Sequence, residues 1–293
     1  MHPAAPPFPQ PIRVLRPSRQ SAPVVSSSAH SGIVYPDEFL AASRLDAHRL
    51  RRSEDSFVDT LFSGAPAYGA PLICANFPRA WCDANREPWE LDPAMFEDTL
   101  PDWVNVTSPR VAAGLGTVAK LVASGETIYR RRLRFAEAEA RVAECWQPFH
   151  EGLAGLLDST HRQFGAVVLI DCHSMPGNAL PAKSGADFVL GDAHGTACNP
   201  IITAGAEQIL RGMGYRVLRN DPYAGGFITR HYGRPSRAVH ALQIEISRAL
   251  YMDEDAIAPS AGFAGLASQM TELVAGLVSL AGTLIAPGAL AAE

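Results

Sequence analysis

The sequence contains few cysteines, and none of them form a Cys-x-x-Cys pair. There are five in 293 residues: Cys74, Cys82, Cys145, Cys172 and Cys198. An odd number without paired spacing argues against a disulfide framework and favours reduced, mostly buried thiols. We therefore expect a cytoplasmic protein.

A concentrated basic surface and a continuous membrane-spanning run are also lacking. The formal net charge is −5, and the densest basic run, at 130–134, is followed by glutamates, as on a solvated charged face. The first residues lack the apolar stretch of a secretory signal. The apolar run at 273–291 is interrupted by Pro287, whereas a membrane span needs roughly 20 continuous apolar residues. These features predict that the protein binds neither nucleic acid nor a membrane. The apolar run predicts a terminal helix packed on a sheet.

What is present is the alternation of strands and helices that is typical of an α/β protein. Hydrophobic residues make up 47% of the chain, enough for a large core. Residues 1–24 are rich in Pro, Ser and Arg and predict a mobile tail, with a single domain over 25–293. Strands are predicted at 72–75, 167–170, 215–218 and 241–246, and helices at 55–62, 117–122, 133–157 and 201–213. This order predicts a mostly parallel sheet flanked by helices.

Two histidines follow predicted strands, where ligands collect in open α/β sheets. His173 follows the apolar run 167–170, and His30 follows Val24 and Val25. A catalytic zinc takes three ligands from His, Asp and Glu, so a carboxylate should complete the set. Glu54 and Asp55 are the candidates, although either could instead cap the helix predicted there. The pattern indicates metal-assisted hydrolysis. A nucleophilic role for Cys172 is disfavoured because adjacent strand residues point to opposite faces.

The loop after the strand at 72–75 carries Arg79 and Arg86. Arginine suits both carboxylate binding and the stabilisation of an oxyanion, although a solvated loop would have the same spacing. Glu245 lies within an alternating apolar strand, so it is either paired or a general base. The glycine-containing turn at 220–229 predicts a substrate-binding loop, with an ordinary turn as the alternative.

Six segments in the same order carry a resemblance to a known family. They are AHSGIVYP, EDSFVDTLF, NFPRAWCDANR, DCHSMPG, NDPYAGGFITRHYG and HALQIEISRALYM, from His30 to Asp253. The set resembles the N-formylglutamate amidohydrolases, which are similar to the zinc carboxypeptidases and aspartoacylases. The resemblance implies a three-layer α/β/α sandwich with a central mixed, mostly parallel sheet, and a single catalytic domain. Ala29 and Ala84 depart from the family pattern, and neither removes a catalytic group.

The resemblance also implies the roles of the site residues. One Zn²⁺ per chain would be held by His30, Asp55 and His173, with Glu245 as the general base and Arg79 polarising the scissile carbonyl. Arg86 and Asn85 would bind a substrate carboxylate, and Gly226 and Thr229 are further candidates for substrate binding. The implied reaction converts N-formyl-L-glutamate to formate and L-glutamate, as in one route of histidine degradation.

Three alternatives remain open. A deacylase of another N-acyl amino acid would use the same residues with a different pocket. A zinc carboxypeptidase-like hydrolase would cleave a C-terminal peptide bond. A binding or regulatory protein could retain the fold without activity. Other divalent metals accept the same ligand types, and the oligomeric state cannot be derived from the sequence.

Overall fold

The computed structural model describes residues 7–180 and 185–285. Contacts between Cα atoms divide the chain into two compact units. The first contains Ala29–Ser56, Cys74–Gly152 and the described N-terminal residues as far as Arg13. The second contains Val14–Ser28, Phe57–Ile73 and the described residues from Leu153 onwards. Since each unit draws on several stretches of chain, a single domain over 25–293 stays a prediction.

A mixed seven-stranded sheet forms the centre of the fold, in the order β1-β3-β2-β4-β7-β5-β6. Its strands are β1 (Ile12–Leu15), β2 (Val24–Ser28), β3 (Leu72–Ala75), β4 (Val167–Met175), β5 (Phe188–Gly191), β6 (Val217–Arg219) and β7 (Val239–Ser247). Strands β2, β4 and β7 are parallel to one another, whereas β5 is antiparallel to β7 and parallel to β6. A separate pair consists of β8 (Met252–Asp253) and β9 (Ala258–Pro259). The predicted mixed sheet flanked by helices is confirmed.

Nine α-helices occur in the described residues, two of them long. They are α1 (Asp37–Ala42), α2 (Ala47–Arg51), α3 (Val58–Leu61), α4 (Pro109–Ala112), α5 (Phe135–Arg141), α6 (Gln147–Phe164), α7 (Pro200–Gly212), α8 (Phe227–Tyr232) and α9 (Phe263–Ile285). A π-helical turn, Val142–Trp146, joins α5 directly to α6. The predicted helices at 133–157 and 201–213 are confirmed with shifted ends, and that at 55–62 shortens to α3.

Strand β4 is longer than its apolar run because polar side chains continue it. All nine of its residues are buried. Asp171 aligns with Ser27 of the parallel strand β2, whose hydroxyl donates to the Asp171 carboxylate at 2.9 Å. The buried carboxylate is thereby satisfied within the sheet. A count of apolar residues alone stops the strand at Ile170, five residues too early.

Two predicted segments are wrong. The expected mobile tail contains strand β1, and its Phe8 is buried edge-to-face against Phe77 and Trp81. The first six residues of the predicted tail lie outside the described part of the chain. Residues 117–122 form loop and not helix, because the Leu121–Thr127 bridge and a left-handed Gly125 turn the chain back on itself.

Helix α9 is the one described helix that is long and apolar enough to cross a membrane by length and composition. Within the second unit it packs against α7, α3 and β2. Its buried face consists of Leu266, Met270, Leu273, Val274, Leu277 and Ala281. The predicted terminal helix packed on the sheet is confirmed as far as Ile285, and residues 286–291 of the predicted run lie outside the described residues.

Gly32 lies so close to the Phe77 backbone that a side chain would not fit. A Cβ at position 32 would lie 2.1 Å from the Phe77 carbonyl oxygen, whereas one at Gly155 in α6 would meet nothing within 4 Å. We expect Gly32→Ala to lower the free energy of unfolding by about 1–3 kcal/mol. Gly155→Ala, the matched control, should raise it by about 1 kcal/mol because alanine favours a helix. Urea unfolding measures both changes, and equal stability of the two variants would contradict the close contact.

Candidate metal centre

In the first unit, His30 is buried between two carboxylates just after strand β2. Its Nδ1 lies 3.3 Å from Oδ2 of Asp55, and its Nε2 lies 2.7 Å from Oδ1 of Asp83. All three residues are less than 5% exposed. The backbone N–H of Asp55 also donates to the carbonyl of His30 at 3.0 Å. The imidazole therefore has a fixed orientation and a carboxylate at each nitrogen.

Glu54 and Asp55, the two acids that precede α3, contact different partners. Glu54 accepts hydrogen bonds from the Tyr35 hydroxyl (2.8 Å), the Arg51 Nε (3.1 Å) and the Ser56 hydroxyl (2.8 Å). Burial raises the pKa of Glu54 against the lowering effect of these three partners. Helix α3 begins after Phe57 with no side-chain cap, so neither acid caps it. Asp55 is therefore the acid of this pair whose carboxylate lies beside His30.

The Asp83 carboxylate contacts the side chains of one histidine and two arginines. Besides His30, it lies 2.9 Å from Nη2 of Arg79 and 3.5 Å from Nη2 of Arg86, and it accepts the N–H of Asn85 at 2.8 Å. Burial alone would raise the pKa of Asp83, but Arg86, His30 and Arg79 together hold it well below its usual range. The Asp83 carboxylate is thus kept charged in a buried place.

The two arginines of this loop differ in how far they are buried. The side chain of Arg79 is 23% exposed and that of Arg86 only 6% exposed. Arg86 donates from Nε to the Leu115 carbonyl (2.9 Å) and from Nη1 to the Asn85 carbonyl (2.8 Å). Burial lowers the pKa of Arg86 to about 10, although Asp83 acts in the opposite direction. The guanidinium is still charged at pH 7 and strongly oriented.

The helical segment from α5 to α6 contacts the backbone of the loop that carries Asp83 at three points. Arg141, the last residue of α5, stacks 3.8 Å from the centre of the Trp81 ring and donates to the Trp81 carbonyl at 3.3 Å. Trp146, in the π-helical turn, donates to the Arg86 carbonyl at 3.0 Å. His150 of α6 lies 2.8 Å from the Ala84 carbonyl. These bonds restrict the loop that carries Asp83 and both arginines.

In the second unit, His173 lies near the carboxyl end of β4 with Asp171 two residues earlier on the same face. Its Nε2 lies 3.2 Å from Oδ1 of Asp171, and both side chains are almost fully buried. Asp171 also accepts from the hydroxyls of Ser27 (2.9 Å) and Thr229 (3.4 Å). His173 therefore has a carboxylate at Nε2, as His30 has from Asp83.

Glu245 lies on the neighbouring strand β7, in register with His173. Because the two strands are parallel, residues that align in register project from the same face of the sheet. Glu245 is 7% exposed and accepts a hydrogen bond on Oε1 from Nε2 of Gln243 at 2.9 Å. The buried acid of the alternating strand therefore has a hydrogen-bond donor and stands beside a candidate ligand.

Gly226 and Thr229 lie at the start of α8, where they contact the strand residues. The N–H of Gly226 donates to Oε1 of Gln243 at 2.7 Å, and the hydroxyl of Thr229 lies 3.5 Å from the same oxygen. Thr229 is fully buried. The structure places both residues as supports of Gln243 and Asp171, and their substrate-binding role stays a prediction.

His30 and Asp55 of the first unit and His173 of the second are all buried and carry side chains that commonly bind metal ions. Two imidazoles and one carboxylate form a donor set that suits zinc in catalytic sites. Histidine ligands of metals almost always give their other ring nitrogen to a carboxylate, a carbonyl or water. Asp83 on His30 and Asp171 on His173 fit that requirement, so the chemistry of the donor set agrees with a metal site.

The chain is similar in sequence and in structure to known enzymes. The sequence model of the N-formylglutamate amidohydrolase family matches residues 22–252. The N-formylglutamate deformylase of Pseudomonas aeruginosa is 30% identical over 249 residues, covering 83% of this chain and 87% of the relative. That of Pseudomonas putida is 27% identical over 237 residues, with 79% and 82% covered.

A solved N-formylglutamate amidohydrolase from Ralstonia eutropha superimposes with a TM-score of 0.89 at 35% identity, covering 94% of this chain and 99% of that one. A gene product of Agrobacterium tumefaciens, at 18% identity, covers 92% of this chain and 94% of its own with a TM-score of 0.67, and shares the fold. The fold and these relatives define a hydrolase that acts on an amide. The chain belongs to the N-formylglutamate amidohydrolase family.

Three residues of the site were missed by reasoning from sequence. Asp83 lies in the segment NFPRAWCDANR, Asp171 in DCHSMPG and Gln243 in HALQIEISRALYM, and none of them is assigned a role from the sequence. The two-residue period of strands could have found Asp171 and Gln243, since each lies on the same face as a predicted site residue. Asp83 lies on a loop, where no such period applies.

Replacing Asp83 with Asn removes the negative charge that faces His30, Arg79 and Arg86. We expect Asp83→Asn to weaken the binding of added Zn²⁺ by about 10–100-fold, as loss of the carboxylate partner of a metal-binding histidine does elsewhere. Competition with a coloured chelator measures the affinity. Asp37→Asn, an exposed acid of α1, is the matched control. Wild-type zinc affinity in Asp83→Asn would contradict the role given to Asp83.

Proposed function

We propose that this protein is a zinc-dependent amidohydrolase that cleaves N-formyl-L-glutamate to formate and L-glutamate. The observation that carries the proposal is the pairing of each candidate ligand histidine with a buried carboxylate: His30 with Asp83 and His173 with Asp171. The relatives named as N-formylglutamate deformylases supply the substrate. A cytoplasmic place in histidine degradation is the corresponding physiological proposal.

His30, Asp55 and His173 would hold the zinc ion. Zinc bound by such a set supplies a lowered pKa for a water ligand and polarises a carbonyl group. Asp83 and Asp171 would fix the tautomer and orientation of each imidazole, as carboxylate partners of ligand histidines do. The protein thus fixes both rings before substrate arrives.

Arg86, with Asn85, would bind a carboxylate of the substrate. A guanidinium has five N–H donors, and three of its nitrogens already contact Leu115, Asn85 and Asp83. Two of its N–H groups have no partner among the described residues and would bind a carboxylate in a direction fixed by the other three contacts. Because binding in one orientation brings the amide to a defined place, this contact supports the reaction through positioning.

Arg79 would stabilise the negative charge that develops on the formyl oxygen. It is the more exposed arginine of the loop, and its Nη2 is held 2.9 Å from Asp83. A charged donor fixed in advance needs little rearrangement as the reaction proceeds. Asp83 therefore supports the catalytic arginine as well as the ligand histidine.

Glu245 would move the proton. As the general base it accepts a proton from the attacking water, and it then gives that proton to the leaving amine nitrogen of glutamate. Its burial in β7 and its register beside His173 support this role. The C–N bond breaks as the nitrogen is protonated, and the water oxygen stays with formate.

The first test is formate release from N-formyl-L-glutamate by the purified protein. We expect release that a chelator abolishes and that added zinc restores. N-acetyl-, N-succinyl- and N-formyl-aspartyl analogues and a C-terminal dipeptide should be hydrolysed much more slowly. Faster turnover of one of these would move the assignment to another deacylase or to a peptidase. Absence of metal-dependent hydrolysis of all of them would overturn the proposal.

Replacement of Glu245 tests the general base separately. Glu245→Gln keeps the shape of the side chain but cannot accept the proton, so we expect kcat to fall by about 10²–10⁴-fold. Zinc content, measured by atomic absorption, should stay at the wild-type value. Glu272→Gln, an exposed residue of α9, should leave kcat unchanged. Near wild-type turnover by Glu245→Gln would exclude Glu245 as the base.

A further inference from the structure

Gln243 is a buried amide that contacts the proposed general base and is not itself part of the proposed chemistry. It lies on β7 two residues before Glu245, so both side chains project from the same face of the sheet. Gln243 is 3% exposed, and its Nε2 donates to Oε1 of Glu245 at 2.9 Å. A buried polar side chain at this place acts directly on one oxygen of the carboxylate.

The orientation of the Gln243 amide is set by a backbone donor. Gly226 donates its N–H to Oε1 of Gln243 at 2.7 Å. Since a backbone N–H cannot accept a hydrogen bond, the atom that faces it must be the amide oxygen. The –NH₂ group is then forced towards Glu245. Gln243 can therefore present only a donor to the carboxylate, and rotation of its amide by 180° would lose both bonds.

The backbone donor is itself held in place by close packing on β5. Gly191 pairs with Gln243 across the antiparallel strands β5 and β7. A Cβ at Gly191 would lie 2.7 Å from the Tyr223 carbonyl oxygen and 2.8 Å from the Gly225 nitrogen. The absence of a side chain at Gly191 lets the 223–226 loop pass directly over the strand. The loop, Gln243 and Glu245 form a continuous series of fixed contacts.

We propose that Gln243 is a positioning residue that fixes the rotamer of the Glu245 carboxylate for proton transfer. The terminal torsion of a glutamate is broad, so an unrestrained carboxylate samples many orientations. The Gln243 donor holds Oε1 and thereby sets the direction of the second oxygen. The inference rests on the proposed function, because it assigns Gln243 its role through Glu245.

Gln243→Met is the principal test, since methionine keeps the length of the side chain and removes both the donor to Glu245 and the acceptor of the Gly226 N–H. We expect kcat for N-formyl-L-glutamate to fall by about 10–100-fold, as small misplacements of reacting groups do. KM should stay within about twofold and zinc content should be unchanged, because neither the arginines nor the metal ligands are altered. Gln208→Met, an exposed glutamine of α7, is the matched control.

The same substitution in the Glu245→Gln background separates positioning from a general structural effect. If Gln243 acts through Glu245, the double variant should be no slower than Glu245→Gln alone. Multiplied losses in the double variant, or a raised KM with unchanged kcat, would overturn the proposal.

Gln243→Asn is the second variant if Gln243→Met does not fold. It keeps an amide but moves the donor away from Glu245 by one methylene, so we expect the same fall in kcat. If the wild-type protein does not hydrolyse N-formyl-L-glutamate, the proposed function is wrong. If the wild type is active and both folded variants keep the wild-type kcat, only the positioning role of Gln243 is wrong.

Discussion

The first unit depends on the compensation of one buried negative charge. An isolated carboxylate in a protein interior would be strongly destabilising, and Asp83 is stable there because His30, Arg79 and Arg86 surround it. The same arrangement aligns the imidazole and both guanidinium groups. Electrostatic compensation and preparation of the site are therefore one structural requirement, met by a single side chain.

The second unit reaches a similar result with a different scaffold. Asp171, His173, Gln243 and Glu245 all belong to the paired strands β4 and β7. The period of the strands places these polar residues on one face, and the neighbours β2 and α8 supply hydroxyl and backbone donors. A sheet gives such side chains less freedom than a loop, which suits groups that must keep fixed directions.

The sequence allowed much of this to be predicted where pattern and local geometry coincide. Strand β3 was predicted with its observed ends, and the start of β4 followed from its apolar run, although the strand continues through His173 to Met175. Asp83 could not be identified, because its contact with His30 joins residues that are 53 positions apart. Gln243 shares a strand face with Glu245, but the direction of its amide depends on the N–H of Gly226 in an adjacent loop. Strand β1 was not predicted for a related reason. It has four residues in a proline-rich segment, which is too short to show a strand period, and it is a strand because it pairs with the sheet.

The π-helical turn between α5 and α6 brings three side chains onto one side of this helical segment. Arg141 lies before the turn, whereas Trp146 and His150 lie within and beyond it, and all three bond the backbone of one loop. A turn closed by i→i+5 hydrogen bonds brings residues five apart, such as Arg141 and Trp146, close to the same face, whereas five steps of about 100° in a regular α-helix would place them about 140° apart. Trp146 and His150 are four residues apart and share a face of the helix. The extra residue of the π-helical turn is therefore what allows one stretch of helix to hold the loop backbone at all three carbonyls.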